Sequence, residues 1–333
     1  MADSAPTQLI DSCNRHLNYL RVSITDRCNL SCMYCLPQES LPRLAHEDIL
    51  RYEEILRVVR VAVGLGITKV RVTGGEPLVR NGVYEFLLQL AAVPGLIDIS
   101  LTTNGVLLKD NLHRLKAAGI ARLNISIDTL KPERYRAITG TDVFDQVWDG
   151  VRAAEALGFH PIKFNAVALK GVNDDELVDL ARLSFDHPYH VRFIEFMPIG
   201  KSRWAGRPPL LVPEIQERLR VLGELTPVPR SDHDGPAQRF RFKGARGEIG
   251  FIPAISRHFC DRCNRLRLTA SGQLRPCLLS DHQEDLKGPL RRGCEDAELA
   301  EIFLRTTRLK PSEHSLVSGE PAHTCCQMRS IGG

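Results

Sequence analysis

The chain has 333 residues, 43% hydrophobic and 25% charged, with a net charge of +4. Such a composition excludes a disordered chain and fits one large globular domain or two moderate ones. The charge is too small to argue for a nucleic acid or a membrane surface as a partner. The N-terminus carries Asp3, Asp11, Asn14, Arg15 and His16 ahead of Leu20 and lacks the apolar stretch of a signal peptide, so the expected location is the cytoplasm. Ten cysteines fall mostly into two tight groups, the habit of metal ligands in a reducing compartment rather than of disulfides.

The first β-rich run, residues 19–25, leads into Cys28, Cys32 and Cys35, separated by three and then two residues. Thiolates are the usual ligands of a four-iron cubane, and three of them leave one iron open to a substrate or cofactor. A structural zinc needs a fourth donor, and the nearest is His46, across Pro37 and Pro42; a disulfide with a spare thiol is the other alternative. Ile49, Tyr52, Leu56, Val59 and Val63 then keep helical spacing up to Gly64, which predicts a helix ending at that glycine. The run at 69–73 ends in Thr73, Gly74, Gly75, Glu76 and Pro77, where paired glycines let the backbone approach a ligand closely.

Further β-rich runs follow at 98–104, 122–128, 162–169 and 190–197. A second clear helix carries Val143, Val147, Val151, Ala154 and Leu157 before Gly158. Six strands in βα order predict a parallel sheet. The expected fold is α/β, a partial (βα)6 TIM-like barrel, since six units are too few for a closed eight-stranded one; a flat doubly wound sheet is the alternative. Gly200, Gly206, Pro208 and Pro209 mark a break, dividing the chain into 1–200 and 201–333. Beyond it, antiparallel strands are expected at 238–243, 248–252 and 265–270, in a smaller C-terminal layer covering the barrel mouth.

Strands buried on both faces should be apolar, yet Arg21, Lys69, Arg71, Lys163 and Arg192 fall within them. Alternation puts Lys69, Arg71 and Thr73 on one face, Lys163 with Asn165, and Arg122 with Asn124, Ser126 and Asp128. Pairing with Asp98, Asp128 and Glu195 is the structural explanation. A small polyanion seated on a basic face is the functional one, because Arg and Lys suit phosphate oxygens.

A second group, Cys260, Cys263 and Cys277, again offers three thiols, with Arg265 and Arg267 on one side of the strand between them. An anion-binding rim beside a second cluster is one reading; a structural zinc completed by Cys294 is the other. Cys13, Cys294, Cys325 and Cys326 fall outside the pattern.

With Tyr34 before Cys35 and the Gly74–Gly75–Glu76–Pro77 run, the first triplet resembles the radical S-adenosylmethionine superfamily. The second triplet, together with LRVSITDRCN at 20–29, LTTNG at 101–105, FIEFM at 193–197 and the terminal IGG at 331–333, is similar to the GTP 3',8-cyclase (MoaA) family of molybdenum cofactor biosynthesis, from about residue 14 onward. That resemblance implies two [4Fe-4S] clusters, one on Cys28, Cys32 and Cys35 and one on Cys260, Cys263 and Cys277. It implies that Tyr34, Gly75, Ser126 and Met197 contact S-adenosylmethionine and that Arg21, Arg71, Thr102, Lys163, Arg265, Leu266 and Arg267 contact GTP. Lys69 and Arg192 are added on charge alone. The implied chemistry is removal of the ribose C3' hydrogen by a 5'-deoxyadenosyl radical and attack of C3' on C8, giving (8S)-3',8-cyclo-7,8-dihydroguanosine 5'-triphosphate.

The same resemblance implies a reducing electron donor, a downstream cyclic pyranopterin monophosphate synthase, a homodimer, and a Gly332–Gly333 tail inserted into the active site. A radical enzyme acting on a peptide, or a non-catalytic iron-sulfur or zinc regulator, are the competing functions. Arg192 and Met197 are five positions apart, so both reach one cavity only if the strand bulges or ends near Glu195.

Overall fold

The computed structural model describes residues 8–36, 42–229, 235–257, 259–314 and 328–332. Six strands, β1 (Tyr19–Ser23), β2 (Lys69–Thr73), β3 (Asp98–Thr103), β4 (Leu123–Ser126), β5 (Ile162–Ala168) and β6 (His190–Glu195), pair in sequential parallel order. Helices α1 (Tyr52–Gly64), α2 (Val83–Ala91), α3 (Leu112–Ala117), α4 (Pro132–Thr139), α5 (Phe144–Ala156) and α6 (Leu177–Asp186) make the crossovers. This is the α/β fold expected, built on a large, mostly parallel sheet. Outward strand residues such as Leu20, Val22, Val70, Val72, Leu123 and Ile125 are fully buried against helix residues such as Ile55, Val59, Phe86 and Leu115. Inward residues at alternate positions remain partly accessible: Arg21, Arg71, Thr102, Ser126, Lys163 and Arg192.

The C-terminal region departs from the expectation of a separate antiparallel layer. Here α7 (Val212–Leu219) precedes β7 (Leu225–Pro227), β8 (Gln238–Phe242), β9 (Glu248–Ile252), β10 (Arg265–Leu268), β11 (Gln273–Arg275) and β12 (Glu284–Asp285). These strands extend the same sheet at both edges: β9 pairs parallel with β6, and β10 pairs parallel with β1. The antiparallel pairing expected of this region is present beyond those two strands, in β7–β8–β9 at one edge and β10–β11–β12 at the other. The physical reason is the open six-stranded sheet, which exposes unpaired N–H and C=O groups along its edge strands β1 and β6 until other strands cover them. The chain ends with α8 (Lys287–Arg291), α9 (Asp296–Arg308) and α10 (Met328–Ile331).

Helix α1 runs through Gly64, and the left-handed turn falls two residues later, at Gly66 (φ 95°). Gly158, with φ 76°, follows α5 as expected. Strand β6 ends at Glu195, so the parity conflict between Arg192 and Met197 disappears, and both line one cavity.

Candidate active site

The first cysteine triplet leaves the C-terminal end of β1. Its loop is fastened by its own backbone: Ser31 N–H donates to Thr139 O (2.8 Å), Met33 N–H to Ile138 O (2.9 Å) and Cys35 N–H to Cys32 O (3.0 Å). Met33 and Tyr34 pack on a small apolar cluster of Leu169, Phe196 and Trp204, separate from the main core. Arg203 bonds the loop at Ser31 O with its side chain and at Leu36 O with its backbone N–H (3.0 Å). Tyr34 donates its hydroxyl to Asp128 (2.7 Å), and the other Asp128 oxygen accepts Val167 N–H (2.8 Å), so the loop is tied to the ends of β4 and β5.

The paired glycines have a sharper role than allowing a ligand near. A Cβ on Gly75 would overlap the Arg27 carbonyl, and one on Gly74 would lie 2.7 Å from Thr25 O. Gly75 N–H donates to Thr25 O (2.7 Å), so only bare backbone fits between the end of β2 and the start of the cysteine loop. Glu76 is buried and accepts from Leu78 N–H (3.0 Å), Thr103 Oγ1 (2.8 Å) and Asn104 N–H (2.6 Å). Burial nonetheless raises its carboxyl to about 7. Asn104 in turn bonds Asn29 (2.7 Å) and points its amide at Cys28 Sγ (3.8 Å).

The second triplet sits at the opposite end of the strands. Cys260 and Cys263 precede β10, which runs parallel to β1, while Cys277 follows the antiparallel β11; all three therefore lie by the N-terminal end of β1. The five residues of β1 separate the two ends by about 16 Å at ~3.3 Å per residue. Cys28, Cys32, Cys35, Cys260, Cys263 and Cys277 all line one cavity, and none is in a disulfide.

Between the triplets lie Arg21, Arg71, Thr102, Arg265 and Arg267, with Arg21 paired in register to both Arg71 and Arg267. Lys163 lies outside the cavity wall but is surrounded by charge: burial, then Arg192, Arg71, Arg122 and Lys69, pull its ammonium down to about 6. Of the carboxylates beside this face, one neutralises two of its cations and the other is engaged elsewhere. Asp98 takes Lys69 (2.9 Å) and Arg122, whereas Glu195 accepts Val212 N–H (2.7 Å), Ile255 N–H (2.6 Å), Ser256 N–H (2.9 Å) and the Ser256 hydroxyl.

Tyr34, Gly75, Ser126 and Met197 face the cavity on the side of the first triplet. The Leu266 side chain is fully buried in the core on the outward face of β10, so only its backbone is available to a ligand. Two lining residues escaped the sequence reading. Tyr19 carries Lys69 Nζ 5.0 Å and Arg71 Cζ 5.6 Å from its ring centroid, and Phe259 carries the Arg265 guanidinium at 4.9 Å. Alternation from Arg21 to Tyr19 was a usable signal; Phe259 offered only its place beside Cys260. Gly332 reaches this cavity too, its carbonyl accepting Arg267 Nη1 (3.0 Å) and its Cα packed between Ser23 and Thr73. Gly333, Cys325 and Cys326 lie outside the described residues.

Three thiols per end in no disulfide, preset in loops with N–H groups near sulfur, suit iron-sulfur ligation. The zinc alternative at the second triplet required Cys294. That residue lies outside the cavity and packs against the main core, with its carbonyl bonded by Arg57 and the charged groups Glu298, Arg292 and Asp296 nearby. Among the described residues no three His, Cys, Asp or Glu side chains close on a single-ion position; a mononuclear site draws its ligands to about 2.3 Å from one ion, whereas a cubane spreads them over separate irons.

Comparison with known proteins agrees with this geometry. A model of the Radical SAM superfamily matches residues 22–184, and one described as Molybdenum Cofactor Synthesis C matches residues 189–316. The chain is 52% identical over 309 residues to a GTP 3',8-cyclase of Moorella thermoacetica, covering 93% of this chain and 96% of that protein. It is 48% identical over 328 residues to one of Heliobacterium modesticaldum, covering 98% and 100%. In fold it is similar to Streptococcus suis SuiB bound to S-adenosylmethionine, at TM-score 0.61 and 15% identity, over 87% of this chain and 69% of that one. Near-complete alignment at such identity, with both triplets and the basic strands between them in one cavity, places the chain in the GTP 3',8-cyclase (MoaA) family of the radical S-adenosylmethionine superfamily.

Proposed function

We propose that this protein performs the first step of molybdenum cofactor biosynthesis, converting GTP to (8S)-3',8-cyclo-7,8-dihydroguanosine 5'-triphosphate, with each triplet holding a [4Fe-4S] cluster. When bound, the first cluster and S-adenosylmethionine supply the one-electron cleavage and the carbon radical that removes the C3' hydrogen. The rest is the chain's own work. Tyr34, Gly75, Ser126 and Met197 seat the cofactor at one end. Arg21, Arg71, Lys163, Arg265 and Arg267, joined by Lys69 and Arg192, neutralise the triphosphate; Thr102 and the Leu266 backbone fix the nucleoside. Ile194, Phe196 and Ile252 form part of an apolar wall that excludes water from a reactive carbon.

The observation that carries this reading is the basic band across β1, β2 and β10 lying between two sets of three cysteines, none in a disulfide, in a single cavity. It also disfavours a peptide substrate, which brings no triphosphate to meet those charges. Anaerobic reconstitution tests it. About eight irons per chain and formation of 5'-deoxyadenosine with GTP-dependent cyclised product are expected; zinc at the second triplet, or no turnover of S-adenosylmethionine under reducing conditions, would overturn it.

The proposal extends to a reducing electron donor, a cyclic pyranopterin monophosphate synthase acting next, a homodimer and a cytoplasmic location. Among the described residues no helix is long and apolar enough to cross a membrane. A partial (βα)6 barrel ending near residue 200, with residues 201–333 supplying the second cluster site and the Gly-Gly tail, is the organisation proposed. The two family matches meet earlier, between residues 184 and 189 and ahead of β6, so they favour two parts but not this boundary.

A further inference from the structure

Lys310, just beyond α9, is a buried ammonium with 3% of its surface exposed. Its Nζ donates to Arg265 O at 2.8 Å and to Pro276 O at 2.7 Å. These carbonyls belong to the two segments that carry the second triplet: Arg265 lies two residues after Cys263, and Pro276 immediately precedes Cys277. Burial lowers the pKa of this ammonium; against that, Cys263 and Cys277 favour its positive form, while Arg265 and Arg15 oppose it. Arg15 differs, because buried Asp11 pairs with it at 2.6 Å while it holds Cys260 O and Pro311 O.

Burying an ammonium without an anion is expensive, and two carbonyl dipoles offset only part of the cost. A neutral donor would link the same carbonyls more cheaply. What a lysine adds is charge, and the groups in place to answer it are the thiolates of the second triplet.

We propose that Lys310 is a positioning residue for the second cysteine triplet, linking its two chain segments and holding a fixed positive charge against its thiolates. The inference rests on the reading that this triplet holds a cluster. A fixed cation favours the more negative, reduced state of such a group, and net charge and hydrogen bonding near the sulfurs set its potential.

The test compares the reconstituted full-length wild type with Lys310→Met and Lys310→Arg, by iron content and by anaerobic redox titration of the second cluster followed by electron paramagnetic resonance. Cleavage of S-adenosylmethionine at the first triplet reports that the barrel has folded. In Lys310→Met the reduced-to-oxidised ratio at a fixed potential should fall about tenfold, a downward shift of about 59 mV for one electron, and Lys310→Arg should restore it. Loss of the second cluster in the Met variant with recovery in the Arg variant also supports the proposal. An unchanged potential in a loaded Met variant overturns it, as does failure of both variants alike, which would make the role one of shape. Wild-type protein with only four irons would instead remove the parent reading.

Discussion

The two cysteine triplets open onto one cavity, yet their surroundings are of opposite sign. Around the first, burial and the neighbouring Cys35, Asp128 and Cys28 push the Cys32 thiol well above its usual range. Burial raises the Cys260 thiol of the second triplet too, but at Cys263 Arg265 and Lys310 outweigh burial and bring that one thiol down to about 6. Ligand spacing alone does not distinguish them. The first site is held by backbone, by the carboxylates Asp128 and Glu76 and by Arg203 at the loop surface; the second is held from within by two buried cations, Arg15 and Lys310, that fasten carbonyls. A cysteine pattern thus states ligand number, while the charge of the elements behind it sets how readily each site deprotonates and binds.

The largest expected effect separates the triplets by task. Cys32→Ala should abolish 5'-deoxyadenosine formation, whereas Cys263→Ala should keep it and lose the cyclised product; equal loss of both activities in both variants would break the division of labour. Next is Gly75→Ala. Its Cβ meets rigid backbone at Arg27, so the first loop must move, and a displacement of about 1 Å costs about 100-fold in kcat/KM. Iron at the second triplet should be unaffected.

A chain extended beyond Gly333 should lose about ten- to a hundredfold in cyclisation, the range corresponding to about 1.5–3 kcal/mol for a hydrogen bond from a charged donor such as Arg267 to Gly332 O. Cleavage of S-adenosylmethionine should survive. Full cyclase activity in such a fusion would remove the tail from the mechanism.

Lys163 gives a smaller, graded effect. Its ammonium titrates at about 6 in the free protein, and a bound triphosphate raises that value. Between the free and the raised values binding therefore takes up a proton, and affinity falls as pH rises, by up to about tenfold per unit. Calorimetry at pH 8 in buffers of different ionisation enthalpy should show uptake approaching one proton, absent in Lys163→Met. Smallest of all, Cys13→Ser and Cys294→Ser should leave the iron content unchanged, since Cys13 is exposed and Cys294 lies outside the cavity.

Much of the fold was legible because period-two strands and period-3.6 helices write their burial into the chain. The starts of β2, β3, β5 and β6 fall where the alternation places them. The destination of β9 and β10 was not, because pairing direction depends on which edge is open, and no local pattern in Glu248–Ile252 or Arg265–Leu268 specifies a partner. The end of α1 at Gly64 was legible, but its left-handed turn was not, since it is Gly66 whose positive φ reverses the chain.

At the site, the six thiols, the basic strand positions and Glu76 could all be read from spacing and alternation. Lys310, Arg15 and Glu195 could not. Each acts by satisfying carbonyls or N–H groups brought close by the fold: Arg15 reaches Cys260 and Pro311, and Glu195 reaches Val212 and Ser256.

The sequence by itself determined the ligand count, the parallel βα order and the presence of more positive charge than a buried strand face tolerates, because each follows from residue type and short-range period. Only the tertiary structure decided that the two triplets stand at opposite ends of one cavity and that Cys294 is excluded from it. It alone decided that a buried ammonium stands behind the second triplet, bonded to its two segments. The first is a relation between segments more than two hundred residues apart, and Lys310 meets carbonyls 45 and 34 positions away; such relations are set by which strand covers which edge.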